Sequence, residues 1–166
     1  MGEGKFQEKA GSTSPKCRMV LLDSSILMYP IKGKRGLTVN IESALSEISG
    51  GAELAVLNTT MEELKILRSR AKGKTRIAAD FALEFIKQLR IEVIDVDEDT
   101  LACVSKAHEE GKIRDFYDEV LIKTAKKLRA SVATMDMGLA KRLKEEGVTC
   151  YFLSNRNWVI VSGNLC

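Results

Sequence analysis

Short apolar runs at 18–22, 52–57, 92–96, 131–134 and 149–153 alternate along this chain with longer stretches whose apolar residues recur every three to four positions. Runs of that length are strand-like and the longer period is helical. Strands separated by helices are joined by crossovers, which make neighbouring strands parallel and place helices on the sheet faces. The expectation is an α/β fold, a three-layer α/β/α sandwich around a mainly parallel sheet of about five strands. The tail at 158–161 is available as an added edge strand. Tyr29-Pro30 and the glycines at 33 and 36 mark a loop after the first strand. Helices are expected over 38–48, with Ile41, Leu45 and Ile48 on one face, and over 61–70, with Asn58, Thr59 and Thr60 as cap residues. A longer helix over 75–89 has the stripe Ile77, Phe81, Phe85 and Leu89, with Ala78, Ala82 and Ile86 alongside. Further helices are expected over 99–110, 115–128 and 137–146.

A chain of 166 residues is enough for one well-packed domain. The polar, Gly- and Ser-containing stretch 1–17 reads as a flexible lead-in, and 18–166 as the domain. No apolar run reaches the ~18 residues of a membrane helix, so no membrane partner is expected. Cys17, Cys103, Cys150 and Cys166 are scattered without a CxxC pair, which argues against a disulfide framework or a zinc site and fits a reduced, cytoplasmic setting. Cys103 and Cys150 lie in apolar patterns and are expected to be buried. His108 is the only histidine, which excludes multi-histidine metal sites and reads as a helix-surface residue. The net charge of +3 says little, but its distribution says more. Lys32, Lys34, Arg35, Arg68, Arg70, Lys72 and Lys74 are candidates to follow a nucleic-acid backbone, or else lie on solvated faces.

The acids are placed less blandly. Met19-Val20-Leu21-Leu22 stops on Asp23-Ser24-Ser25, and Ser131-Val132-Ala133-Thr134 runs through Met135 into Asp136. Both acids therefore sit at the carboxyl ends of buried strands, the edge where open parallel sheets bind ligands. Asp118 precedes Leu121, Ile122 and Ala125 by three, four and seven residues, so it lies on the apolar stripe of its helix. Glu63 stands in the same relation to Ile66 and Leu67, whereas Glu62 is rotated to the flank. Each residue also has a plainer role open to it. Asp23 or Asp136 could cap the following turn, and Glu63 or Asp118 could complement a helix dipole. Together, however, four carboxylates at one edge repel one another, by about 4 kcal/mol per pair at ~4 Å and an effective dielectric of 20. A divalent cation removes that cost, and an all-oxygen donor set favours Mg²⁺ or Mn²⁺ over zinc. Asp115, three residues before Asp118, reads as a helix cap with a lesser claim on the metal. Ser25 and Thr134 offer hydroxyls that could orient the strand-end acids.

These segments resemble the PIN-domain nuclease family. LLDSSILM is similar to its first strand and Asp, MEELKIL to its inner Glu-Leu segment, DEVLIKTA to its Asp-led helix, and VATMDMGLAKRLKEEGVTCYFL to its closing Thr-x-Asp, helix and strand. The likeness runs from residue 18 to about 163. It implies a parallel-sheet sandwich, an acidic Mg²⁺ or Mn²⁺ site formed by Asp23, Glu63, Asp118 and Asp136 with Thr134 beside it, endonuclease activity on RNA, and a possible homodimer. The Tyr29-Pro30 loop, the long helix at 75–89 and the NRNWVIVSG ending resemble most the archaeal branch related to PIN proteins of small-subunit rRNA processing. Two departures stand out. Ser25 occupies a position where many members have Asn, and Tyr117 a position where an extra acid is usual, which bears on a second metal.

The expected activity is a metal-dependent endoribonuclease acting on single-stranded RNA or an rRNA precursor. Asp23, Asp118 and Asp136 hold the metal, and Glu63 binds it or orients the attacking water. With an aromatic content of 5%, base stacking is expected to be minor. The rivals are an RNA-binding or assembly module of the same fold that does not cut, and a toxin-type PIN ribonuclease paired with an antitoxin. A haloacid-dehalogenase-like phosphotransferase expects Asp where Ser25 stands, and a response-regulator receiver expects an acidic pair at the first strand end. Both fit poorly.

Overall fold

The computed structural model describes residues 18–32, 41–154 and 157–161. Their strands form a six-stranded sheet in the order β3-β2-β1-β4-β5-β6. The members are β1 (Met19–Leu22), β2 (Glu53–Leu57), β3 (Glu92–Ile94), β4 (Ser131–Thr134), β5 (Cys150–Ser154) and β6 (Asn157–Val161). All neighbouring pairs are parallel except β5 with β6, a terminal antiparallel hairpin. The tail therefore does add a strand, giving six rather than about five.

The pleat sorts side chains between two cores. Val20 and Leu22 of β1 enter a cluster with α1 (Ser24–Lys32), α2 (Ile41–Ser49), α3 (Asn58–Arg70) and α4 (Lys74–Gln88). Leu21, between them, enters the opposite cluster with α5 (Glu98–Glu109), α6 (Phe116–Leu128) and α7 (Met137–Glu145). Successive strand residues face opposite sides, so a fully buried apolar strand requires helices on both faces. That is the expected three-layer sandwich.

Several local expectations are corrected. Tyr29-Pro30 is not a loop: α1 continues through Pro30 to Lys32. A proline here forfeits one helical hydrogen bond, but Ile26, Leu27, Met28 and Tyr29 are buried, and their packing outweighs the loss. The glycines of the expected loop lie outside the described residues. Asn58, Thr59 and Thr60 are inside α3 rather than capping it. Asn58 Oδ1 instead accepts from the backbone N–H of Thr59 (2.9 Å) and of Val96 (3.0 Å), tying the start of α3 to the chain beyond β3. The third strand ends at Ile94, and α5 begins earlier than expected, where the Asp97 side chain caps Thr100 N–H at 2.7 Å.

The stripe assigned to the long helix is rotated: of its four residues only Phe85 packs against the core, and the flanking Ala78, Ala82 and Ile86 form the buried face. Ile77 and Leu89 are 58% and 38% exposed, while Ala78, Ala79, Ala82, Leu83 and Ile86 are buried. This helix packs against both α1 and α3. Small side chains at 78, 79 and 82 permit close helix approach, Leu83 and Ile86 fill the remaining core, and Ile77, Phe81 and Leu89 are left outside. Cys103 is likewise exposed rather than buried, whereas Cys150 is buried as expected.

Candidate active site

Strand order reverses between β1 and β4. The chain leaves β1 toward β2 on one side, and β4 lies on the other, so a crevice forms at their carboxyl ends. Asp23 follows β1 there, and its backbone N–H still bonds Ala133 O of β4 at 3.0 Å. Its carboxylate is held by two hydroxyls. Ser25 Oγ donates to Asp23 Oδ2 at 2.6 Å and Thr134 Oγ1 donates to the same oxygen at 2.8 Å. Each hydroxyl also accepts one backbone bond, Ser25 from Met135 N–H and Thr134 from Asp136 N–H, both at 3.0 Å. Their single hydrogens are therefore committed, and the 3.2 Å approach of the two hydroxyls to one another is a contact rather than a further bond. Ser25 thus reaches Asp23 without the length of an Asn.

This arrangement makes Ser25→Ala informative. The change leaves Met135 N–H unpaired and removes the shortest donor to Asp23. A destabilisation of about 1–3 kcal/mol is expected, read as a lower urea midpoint. An unchanged midpoint would show that the hydroxyl is dispensable to the strand-end geometry.

Glu63, in the second turn of α3, is partly buried and Glu62 is exposed, as expected, although Ile66, one of the two residues that defined that face, is 41% exposed. Ser24 Oγ donates to Glu63 Oε1 at 2.6 Å. Ser24 was not singled out from sequence, although it directly follows Asp23; nothing local says that it pairs with a residue 39 positions away. Asp118 lies in the first turn of α6, and Asp115 is the helix cap, accepting from Asp118 N–H at 3.0 Å. Asp136 caps α7 through Oδ1, accepting from Leu139 N–H at 3.1 Å. A Cβ on Gly138 would stand 3.2 Å from that oxygen, so a larger residue there would crowd the carboxylate. Beside Asp118, the buried Glu119 faces Arg142 of α7, with Oε2 and Nη1 2.6 Å apart. It is a contact of charges more than an aligned hydrogen bond, and it links the helices that carry Asp118 and Asp136. Neither residue was picked out from sequence, because the pairing spans two helices.

The electrostatics follow from burial and crowding. Burial raises the Asp23 pKa despite the opposing hydroxyl and backbone donors. Glu63 is pushed up to about 7, first by burial and then by the charges of Asp23 and Asp115, against the Ser24 hydrogen bond. Asp118 is also raised to about 7, by burial and by Asp115, Asp23, Asp136 and Glu63. Asp118 therefore feels each of the other three predicted carboxylates.

Among the predicted backbone contacts, Arg70 lies seven residues beyond Glu63 on the same helix and acts on the Tyr117 hydroxyl from across the crevice. Arg68 turns instead toward Asp80 of α4, at 3.8 Å. Lys72 and Lys74 are exposed in and after the α3–α4 turn. Lys34 and Arg35 lie outside the described residues, as does the side chain of Lys32.

The donors at this edge are carboxylate and hydroxyl oxygens, and neighbouring acids raise the pKa of Glu63 and of Asp118. That chemistry fits a hard divalent cation. Among the described residues no three His, Cys, Asp or Glu side chains already stand close enough to hold an ion; gathering around one requires them to draw inward.

A mainly parallel α/β/α sandwich with acids at the switch point of its sheet is the class of protein that the fold and the site define. The profile of the PIN-like domain matches residues 20–156, and the chain belongs to that family, whose members are nucleases that generally use divalent metals. Among solved structures, VapBC2 from Rickettsia felis bound to a DNA fragment from their promoter aligns with a TM-score of 0.52 and 19% identity, over 75% of this chain and 92% of that one. VapBC-5 from Mycobacterium tuberculosis gives 0.49 and 20%, over 75% and 90%. PAE2754 from Pyrobaculum aerophilum gives 0.47 and 19%, over 75% and 78%. No curated protein sequence matches. Among the described residues no helix is long and apolar enough to cross a membrane.

Proposed function

We propose that this protein is an endoribonuclease that hydrolyses RNA phosphodiester bonds with Mg²⁺ or Mn²⁺ at Asp23, Asp118, Asp136 and Glu63. The observation that carries this reading is the convergence of those carboxylates at the sheet's switch point, where Asp118 lies within the field of Asp23, Asp136 and Glu63. The bound cation would neutralise charge on the phosphodiester and lower the pKa of an attacking water. The chain's own residues do the remainder. Ser25 and Thr134 fix one oxygen of Asp23. Ser24 fixes one oxygen of Glu63, which would hold the cation or orient the attacking water. Arg70, on the Glu63 face of α3, is placed to meet a phosphate.

The test is cleavage of labelled single-stranded RNA and of a structured rRNA precursor with Mg²⁺, Mn²⁺ or EDTA. Metal-dependent cutting of either supports the proposal. RNA that is bound but left whole by both ions would make this a binding module. The substrates also separate the two narrower roles. Preference for the precursor supports the rRNA-processing reading, one of whose sequence supports, the Tyr29-Pro30 loop, is a helix. The toxin reading takes its support from the VapBC2 complex of Rickettsia felis, a likeness of fold; cutting of diverse single strands, with an antitoxin frame adjacent, favours it.

A further inference from the structure

The first turn of α6 carries more than Asp118. Phe116 and Tyr117 immediately precede it, with their rings edge to face, centroids 5.5 Å apart and planes at 85°. On the other side of Phe116 the His108 imidazole, from the end of α5, also meets it edge-on, at 6.2 Å and 69°. Phe116 packs against the core cluster beneath. The series of rings is therefore anchored at its centre, and Tyr117 forms its end beside the carboxylates.

Tyr117 is partly exposed. An edge-to-face contact with one neighbour occupies at most one face of the tyrosine ring, so the other is not taken by Phe116. It stands in the first turn of α6 directly before Asp118, and α6 packs against α3, the helix of Glu62, Glu63 and Arg70, whose charges together with that of Asp115 act on its hydroxyl; the ring is at the rim of the acidic crevice. A tyrosine ring carries no charge near neutral pH. Nearby carboxylates repel a phosphate but not the face of an uncharged base.

We propose that Tyr117 is a substrate-positioning residue that stacks on the nucleobase next to the scissile phosphate, while Arg70 meets a phosphate of the same strand. The ligand class is single-stranded RNA with an unpaired base at that position, because a base within a duplex has no free face. The proposal rests on the nuclease reading and deepens it. It also revises the expectation that stacking is minor: an aromatic content of 5% counts rings without locating them.

The experiment measures fluorescence anisotropy of a short labelled single-stranded RNA with the full chain carrying Asp23→Asn in EDTA, so that cutting is suppressed and one repelling charge is gone. Tyr117→Ala is expected to weaken binding on the order of 5- to 100-fold, as for loss of one stacked base. Tyr117→Phe and Tyr117→Trp retain affinity within about threefold, since the ring persists. Tyr117→Leu, which keeps apolar bulk for folding, behaves like the alanine variant. An abasic scan completes a double-mutant cycle: one abasic position weakens binding to the tyrosine form and leaves the alanine form unaffected. Loss with Phe equal to loss with Ala, or an abasic scan without a sensitive position, overturns the stacking role. If stacking holds but the unsubstituted Asp23 protein never cuts RNA, the nuclease reading fails alone. If no form binds RNA, the stacking role fails, and the nuclease reading is decided separately by cleavage with Mg²⁺ or Mn²⁺.

Discussion

Asp23→Asn is expected to lower RNA cleavage by at least about a hundredfold, the loss of several kcal/mol of charge stabilisation at the phosphodiester, while making the metal-free protein harder to unfold. The two effects have one cause. Asp23 is buried, and burial raises its pKa despite the donors around it. A group whose folded-state pKa exceeds its unfolded value stabilises the fold when protonated and costs stability once ionised. Once ionised the native carboxylate carries that cost, and an amide of the same shape never does. The amide oxygen can still accept from Ser25 and Thr134. A gain of ~1 kcal/mol raises Tm by about 2–4 °C for a chain of this size, measurable in EDTA. Asp136→Asn isolates the activity effect: Asn caps a helix about as well as Asp, so cleavage falls and Tm stays within about 2 °C. Full activity in either variant would remove that residue from the proposed metal site. Loss of activity together with a lowered Tm for Asp23→Asn would make its charge a structural asset instead.

What the sequence made legible was whatever is written in local period. Alternation of Val20 and Leu22 with Leu21 across the sheet, and the placing of Asp118 and Glu63 on inward faces, follow from spacings of two, three, four and seven. Strand-end acids follow from where an apolar run stops. The misread elements share a different origin. On α4, hydropathy ranks Ile77 and Phe81 above Ala78 and Ala82, yet contact with both α1 and α3 selects small residues for the buried side. No window along the helix contains that information. Pro30 is carried inside a helix because residues distant in sequence pack against its neighbours. Asn58 reads as a cap until the backbone of Val96 is seen to use it. Ser24 with Glu63, and Glu119 with Arg142, are partners across elements, and a sequence gives the face of a side chain without naming what stands opposite. The positions of the candidate acids were therefore visible individually, whereas the hydroxyls and charged partners around them were visible only in part.

The crowding of those acids predicts an unusual pH dependence. In EDTA the protein is expected to lose stability as pH rises from about 4.5 to about 7.5. Glu63 moves from 4.5 in the unfolded chain to about 7 in the folded one, and Asp118 from 3.8 to about 7. Across this interval the folded state retains protons that the unfolded state has released, so each increment of pH favours unfolding. Glu63 alone contributes up to about 3 kcal/mol at 1.36 kcal/mol per pH unit. Asp118 is less buried and solvent screens part of its share, while Asp23 acts in the same direction. Asp97 and Glu146 have lowered pKa values through Thr100 and Lys126, so their contributions disappear only in more acidic solution and do not mask the trend. Thermal melts at fixed ionic strength would follow it. Mn²⁺ or Mg²⁺ should restore stability most at the alkaline end, where the carboxylates are ionised and unneutralised, and Asp118→Asn should flatten the metal-free curve by removing the group that the other acids act upon together. A Tm that rises across the interval in EDTA, or a metal effect independent of pH, would mean that the four carboxylates do not share one field, and the cation site proposed for them would lose its physical basis.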